Sequence, residues 1–260
     1  MQLRSNDGQS ENTGSAAFGL AFCLLGRAES VLLARGAGFD FVVIDMEHGP
    51  IALGDMAQAA AAARAAGLPL WGRVTGPAAA DVARVLDCGA SGVVVPHVDS
   101  AAQARHVAGL CRFAPRGRRA LPGPLPALDY RVVAAGPLCR EAEQNTQVIA
   151  MIESAAGLSE VEAIAAVPGI DMLMIGSNDL ADGLGHRGDL AHPQVRAAFA
   201  RIAAAARAAG IGFGVMGLPG ALLRSHALDL GATAIVATNE TNLIVEAGAA
   251  LLKEMRGMTA

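Results

Sequence analysis

The sequence predicts an α/β fold, a single-domain (β/α)₈ TIM barrel over residues 16–256. Eight short apolar runs alternate with helical patterns along the 260 residues, and Gly or polar residues bound each run. Strands that alternate with helices favour a parallel sheet, and eight such units close into a barrel. No linker or shift in composition divides the chain. An open doubly wound sheet is the alternative that this pattern leaves open.

The first half of the chain supplies four strand–helix units after a polar tail, 1–15, which we expect to be flexible. The predicted strands cover 16–25, 39–50, 70–74 and 91–98, and the helices that follow them cover 27–37, 53–66, 77–88 and 100–113. Pro77 stands where a helix can begin, and Ser100 is a candidate N-cap. Glycines follow several of these helices, as expected at helix ends.

The second half begins with a Pro/Gly/Arg-rich loop, 114–133. A βα connection usually has about 2–6 residues, so a loop of this length indicates a functional role. The predicted strands that follow cover 148–154, 171–179, 212–217 and 233–240, and the helices cover 193–208, 221–230 and 242–256. A further helical pattern between the first two of these strands ends at Pro168 and Gly169.

Composition excludes several classes of function. The chain has a net charge of −4, which argues against nucleic acid as a partner. No apolar run approaches the roughly 20 residues of a membrane span, and the start lacks the apolar segment of a signal peptide. The four cysteines lack C-x-x-C spacing. They indicate reduced thiols, and with them a cytoplasmic protein.

The chain contains one lysine, Lys253, in the last predicted helix. Schiff-base aldolases and pyridoxal enzymes need a lysine in the site. Carbonyl chemistry in this protein would therefore need a metal ion as its electron sink.

Two predicted strands end in carboxylates, Glu153 and Asp179. The strand–helix–strand pattern places these strands side by side and parallel, so both acids reach the edge where such folds place their chemistry. Carboxylates that face one cavity repel each other unless a cation or a shared proton lies between them. Hard oxygen ligands suit Mg²⁺ or Mn²⁺, so the sequence predicts a divalent metal ion held by Glu153 and Asp179. The alternative is a structural pairing of each acid with an arginine.

Asp45, Glu47 and His48 lie at the end of the second predicted strand, and Arg73 lies in the third. Asp45 and Glu47 share a face of the strand, and His48 is a candidate general base. Arg73 is a candidate for holding a substrate carboxylate or an oxyanion. The alternatives are a local backbone contact for His48 and an ion pair of Arg73 with Asp45 or Glu47.

Three further groups of residues are weaker candidates. Ser177 and Asn178 could receive a substrate carboxylate through backbone N–H groups, although both are common turn residues. His97 is interpreted as a polar residue at the barrel mouth. The arginines of the long loop could attract an anionic substrate, but such residues are usually solvated.

Six stretches together resemble the HpcH/HpaI class II pyruvate aldolases: GFDFVVIDMEHGP, the Arg of WGRV, GASGVVVPHV, PRGRRALPGP, VIAMIES and GIDMLMIGSNDLADGLG. They extend over nearly the whole chain, from about residue 18 to 252. The resemblance implies a divalent metal ion (Mg²⁺, Mn²⁺ or Co²⁺) and reversible cleavage of 4-hydroxy-2-oxo acids to pyruvate and an aldehyde through an enolate. It also implies a homohexamer, a dimer of trimers, with the C-terminal helix exchanged between subunits.

The resemblance also implies roles for individual residues. The metal ligands would be Glu153 and Asp179. Arg73 would steady the enolate, His48 would be the base, and Asp45 would be the acid beside it. Asp87 would orient that histidine, but it ends a predicted helix and geometry places it at the opposite end of its own barrel.

The chain departs from the family pattern at three positions. Met151 stands where Gln often binds the substrate carboxylate, Ser177 where Pro is common and Ala181 where Ser is common. These departures affect which substrate is expected to bind, but not the expected class of reaction. A lyase acting on coenzyme A thioesters and a barrel that binds oxo acids without turnover are the alternative functions.

Overall fold

The computed structural model describes residues 16–258, so the predicted flexible tail, 1–15, lies outside the described residues. Eight parallel strands form a closed barrel in sequence order, and the last pairs with the first. The strands are β1 (Ala17–Phe22), β2 (Phe41–Asp45), β3 (Leu70–Arg73), β4 (Gly92–Val95), β5 (Gln147–Ile152), β6 (Met172–Gly176), β7 (Gly212–Met216) and β8 (Ala234–Asn239). The predicted (β/α)₈ barrel is therefore confirmed.

Helices surround this barrel. They are α1 (Ala28–Ala37), α2 (Leu53–Ala65), α3 (Val82–Asp87), α4 (Ala101–Cys111), α5 (Ala135–Gln144), α6 (Ala155–Ser159), α7 (Val161–Ala165), α8 (Ser177–Gly183), α9 (Pro193–Ala209), α10 (Leu223–His226) and α11 (Glu240–Gly257). Short 3₁₀ turns lie at Pro126–Leu128, Gly220–Leu222 and Leu228–Leu230. None of the helices within 16–258 is long and apolar enough to cross a membrane.

Two layers of apolar side chains stabilise the barrel. One fills its interior, where Phe41 and Trp71 pack with ring centroids 4.3 Å apart. The other lies between the strands and the helices and includes Val42, Ile44 and Phe199. Because side chains alternate along a strand, β2 contributes to both layers. A strand that is buried on both faces has a continuous apolar sequence, without alternating polar residues.

Several predicted helix boundaries were wrong. The third helix begins at Val82 rather than at Pro77, since residues 75–81 form turns. The pattern over 221–230 gives one short helical turn, α10, between two 3₁₀ turns. The helix between β5 and β6 breaks at Glu160 into α6 and α7.

The long loop, 114–133, is followed by α5, a helix that the sequence did not predict. Leu138 and Ala142, one turn apart on α5, pack with Phe113, Leu125 and Leu128 in a small separate core. Beside this core, Leu125 and Ala127 line a cavity together with Leu70 and Gln147, which begin β3 and β5, so the loop lies at the N-terminal ends of the strands.

The last helix, α11, packs little against its own barrel. Among the described side chains of α11, only Glu240 is buried. Its carboxylate accepts hydrogen bonds from the backbone N–H groups of Cys23, Leu24 and Leu25 at 2.5–3.0 Å. Six large apolar side chains of the helix are exposed: Leu243, Ile244, Val245, Leu251, Leu252 and Met255.

Candidate active site

The carboxyl ends of the strands surround a cavity of about 730 Å³, a size typical of small-molecule sites. The predicted site residues that line it are Asp45, His48, Arg73, Glu153, Ser177, Asn178 and Asp179. They come from the ends of β2, β3, β5 and β6, where (β/α)₈ enzymes place their catalytic groups.

Arg73 and Asp45 form a buried ion pair at one wall of the cavity. The strand register sets Asp45 beside Arg73, and Nε of the guanidinium donates to Oδ1 at 3.0 Å while Nη2 donates to Oδ2. Burial opposes ionisation of Asp45, but the hydrogen bonds and charge of Arg73 outweigh it and lower the pKa of this carboxyl. Nη1 of Arg73 lies 3.1 Å from Glu47, so one guanidinium serves two acids.

Asp45 also shapes the turn that carries His48. Its Oδ1 accepts the backbone N–H groups of Glu47 at 3.0 Å and His48 at 3.2 Å. The imidazole of His48 is 59% exposed, and its Nε2 lies 3.8 Å from the Glu47 carboxylate. Asp45 therefore contacts His48 through the backbone, while the ring stays free to face the cavity.

Glu153 directly follows β5 and is buried. Burial raises the pKa of its carboxyl, contacts with His97 oppose that rise, and the negative charges of Glu47 and Asp179 add to it. A Cβ atom at Gly176 would stand 2.3 Å from Glu153 Oε2, so any larger residue there would require this carboxylate to move. Asp179, in the first turn of α8, is exposed at the same cavity.

His97 contacts two acids of the site. Its Nε2 lies 3.1 Å from Glu47, and its Nδ1 lies 3.1 Å from Glu153. His97 was predicted to be a plain polar residue of the barrel mouth, and its contacts favour a larger role. The signal available in the sequence was its position two residues after β4, beside β5, which Glu153 directly follows.

The carboxylates of Glu153 and Asp179 at the cavity fit a divalent cation. The negative charge of Asp179 adds to the rise in the pKa of the Glu153 carboxyl. Oε2 of Glu47 is buried and makes no hydrogen bond, and its nearest cation is Nη1 of Arg73 at 3.1 Å. Within 16–258 no group of three His, Cys, Asp or Glu side chains is arranged to hold a metal ion. Two carboxylates are nevertheless a usual protein contribution to a Mg²⁺ site, where water and substrate supply the other ligands.

Of the predicted substrate contacts, Met151 needs correction, whereas Ser177 was predicted to act through its backbone. Met151 is fully buried in the barrel interior and does not line the cavity, because it lies one layer below Glu153 on the same strand face. The hydroxyl of Ser177 donates to the Met216 carbonyl at 2.7 Å and so joins β6 to β7. Any contact of Ser177 with substrate would therefore use its backbone. Asn178 is exposed at the cavity, as the prediction requires.

Asp87 does not reach the cavity of its own chain. It ends α3 at the N-terminal end of the strands and accepts a hydrogen bond from the buried Arg119 at 2.7 Å. Its predicted role in orienting His48 would need a second subunit, and it stays a prediction.

A match to a known protein family shows where this chain belongs. The sequence profile of HpcH/HpaI aldolase/citrate lyase matches residues 20–244, most of the chain. The chain belongs to this family. The resemblance of its six motifs is thereby confirmed.

Relatives within the HpcH/HpaI family match along nearly their whole length. A hydroxypyruvate/pyruvate aldolase of Paraburkholderia phytofirmans is 38% identical, covering 92% of this chain and 93% of its own. A 4-hydroxy-2-oxovalerate aldolase of Rhodococcus jostii is 36% identical, covering 87% of each chain. The crystal structure of an HpcH/HpaI aldolase from Desulfitobacterium hafniense superposes with a TM-score of 0.87 at 25% identity, over 93% of both chains. The prediction of a pyruvate aldolase, a carbon–carbon lyase, is confirmed at the level of enzyme class.

Proposed function

We propose that this HpcH/HpaI protein is a divalent-metal-dependent aldolase that reversibly cleaves 4-hydroxy-2-oxo acids to pyruvate and an aldehyde. The observation that carries the proposal is the meeting of Glu153, Asp179, Arg73 and His48 at one cavity. The two carboxylates would hold Mg²⁺, Mn²⁺ or Co²⁺. The bound metal ion would supply Lewis-acid stabilisation of the negative charge that develops on the keto oxygen.

Arg73 supports the same charge from the protein side. Its guanidinium is buried and fixed by Asp45, so it reaches the reacting oxygen without reorganising. Asp45 keeps its negative charge because its pKa is lowered, and this charge holds the guanidinium in place. We therefore assign Asp45 the role of positioning Arg73 and the turn that carries His48.

His48 moves the proton. In cleavage it accepts the proton of the 4-hydroxyl, and in synthesis it accepts a proton of the pyruvate methyl. The exposed imidazole reaches into the cavity from the turn that Asp45 holds. Several family members carry Gln at the position of Met151 and bind the substrate carboxylate with it. In this chain Asn178 and the backbone of Ser177 would bind that carboxylate instead.

A coupled assay for pyruvate release tests this function. Purified protein would be mixed with a panel of 4-hydroxy-2-oxo acids, with and without chelator. Activity is expected only with added divalent metal, and Glu153→Ala or Asp179→Ala should abolish metal binding while the fold persists. Normal turnover of either variant in chelated buffer would contradict the metal assignment.

The family description also includes citrate lyases, so thioester substrates are the second candidate. The same assay with matched coenzyme A thioesters separates the two functions, since an aldolase of free oxo acids should leave thioesters uncleaved. Borohydride added with pyruvate should leave the activity intact. Lys253, the one lysine of the chain, lies exposed on α11 away from the cavity and offers no Schiff base.

We further propose that the working form is a cytoplasmic homohexamer, a dimer of trimers, that exchanges α11 between subunits. The exposed apolar side chains of α11 support this proposal, because such a surface is expected to be covered in an assembly. Light scattering of the purified protein tests the state, and a monomer at micromolar concentration would contradict it.

A further inference from the structure

His97 holds one oxygen of Glu153 from two sides. The backbone N–H of His97 donates to Glu153 Oε1 at 2.7 Å, and Nδ1 of its ring lies 3.1 Å from the same oxygen. Within 16–258 no hydrogen bond reaches the other oxygen, Oε2, which lies against Gly176. The two oxygens of this carboxylate are therefore distinguished before any ligand arrives.

The ring of His97 is itself held in place. Its Nε2 lies 3.1 Å from Glu47 Oε1, so the imidazole spans the gap between the turn after β2 and the end of β5. Glu47 in turn lies 3.1 Å from Nη1 of Arg73. A continuous set of polar contacts thus runs from the ion pair on β3 to the carboxylate on β5.

The backbone of His97 adopts an uncommon conformation that permits these contacts. Its φ is +56°, in the left-handed region that residues other than Gly seldom adopt, although Asn, Asp and His are enriched there. This conformation lets the N–H and the ring of one residue reach the same carboxylate. Backbone conformations of this kind persist where the surroundings enforce them, and they concentrate at functional sites.

We propose that His97 is a positioning residue of the metal centre, which fixes Oε1 of Glu153 and leaves Oε2 to bind the cation. The inference rests on the proposed function, in which Glu153 is a metal ligand. Groups that hydrogen-bond to metal ligands orient them, and their removal typically costs about 10–100-fold in metal affinity.

The experiment measures Mn²⁺ binding to the full-length protein by electron paramagnetic resonance, without substrate. His97→Gly keeps the backbone N–H, tolerates the positive φ and removes only the ring, so Mn²⁺ affinity should fall by about 10–100-fold. His97→Asn also tolerates this φ and retains a donor near the position of Nδ1, so it should keep most of the affinity. Glu47→Gln should weaken Mn²⁺ binding in the wild type but add little to His97→Gly.

The outcomes separate the two proposals. Wild-type Mn²⁺ affinity in Glu153→Ala would overturn the metal assignment itself. Loss of binding in Glu153→Ala together with normal binding in His97→Gly would overturn the role of His97 alone. Equal losses in His97→Asn and His97→Gly, or additive losses from Glu47→Gln, would overturn it too. If His97→Gly failed to fold, His97→Asn and Glu47→Gln would still test the same bridge.

Discussion

Arg73→Lys keeps the positive charge at the cavity wall but removes the planar fork. The guanidinium makes two hydrogen bonds to Asp45 and lies 3.1 Å from Glu47, whereas a lysine ammonium at this depth would keep about one of these contacts. A charge-assisted hydrogen bond contributes about 1.5–3 kcal/mol, so the loss of two such contacts should lower the free energy of unfolding by roughly 3–6 kcal/mol. Loss of a donor to a developing oxyanion should lower kcat by about 10²–10³.

A matched control separates the catalytic effect from the loss of stability. Arg112 is equally buried and also forms a fork, with Asp171 and the Gly169 carbonyl, but it lies outside the cavity. Arg112→Lys should therefore lose a similar amount of stability and keep its kcat.

The measurements are urea unfolding of both variants and steady-state kinetics of pyruvate release under conditions where each is folded. KM should change less than kcat in Arg73→Lys, because the interaction forms mainly in the transition state. A normal kcat in Arg73→Lys would refute the reasoning, and so would an equal loss of kcat in Arg112→Lys.

Three further predictions concern the proposed base His48, the glycine beside the Glu153 carboxylate and the stability of the protein in acid. His48→Ala should slow exchange of the pyruvate methyl protons into heavy water by about 10²–10⁴-fold while pyruvate binding persists, as followed by proton NMR; unchanged exchange would remove His48 from the mechanism. Gly176→Ala should displace the Glu153 carboxylate, since the added Cβ would stand 2.3 Å from Oε2, and calorimetry should show weaker Mg²⁺ binding than in the wild type. Because the pKa of Asp45 is lowered in the folded state, its contribution to stability is fully present above the unfolded pKa of about 3.9 and is lost as the pH falls through the lower folded value. Asp45→Asn should therefore be less stable at pH 7 and show a shallower acid limb in Tm against pH, and identical acid limbs would contradict this assignment.

The barrel and its strand-end acids were predictable because they follow from periodicity. Parallel neighbours bring their carboxyl ends to one edge, and this places Asp45, Arg73, Glu153 and Asp179 at one cavity. The pairing of Asp45 with Arg73 was predicted as one of two options for the arginine, and the register supports it.

Other features depend on geometry that residue order does not encode. Gly136 and Pro137 made the start of α5 resemble a loop, although Leu138 and Ala142 bury a helical face. Alternation along β5 shows that Met151 shares a face with Glu153, but it does not tell the packed interior from the barrel mouth. Nothing in the sequence signals the positive φ that turns His97 towards Glu153.

Glu240 makes the integrity of the cavity depend on the last helix. It is the first residue of α11, and its carboxylate anchors the turn that carries Cys23, a residue of the cavity wall. Leu243, one turn further along the helix, lines the same cavity. If another copy of the chain holds α11 in place, the complete site exists only in the assembly. The fraction of complete sites then depends on protein concentration by mass action. Dilution would then reduce specific activity while the barrel itself stays folded.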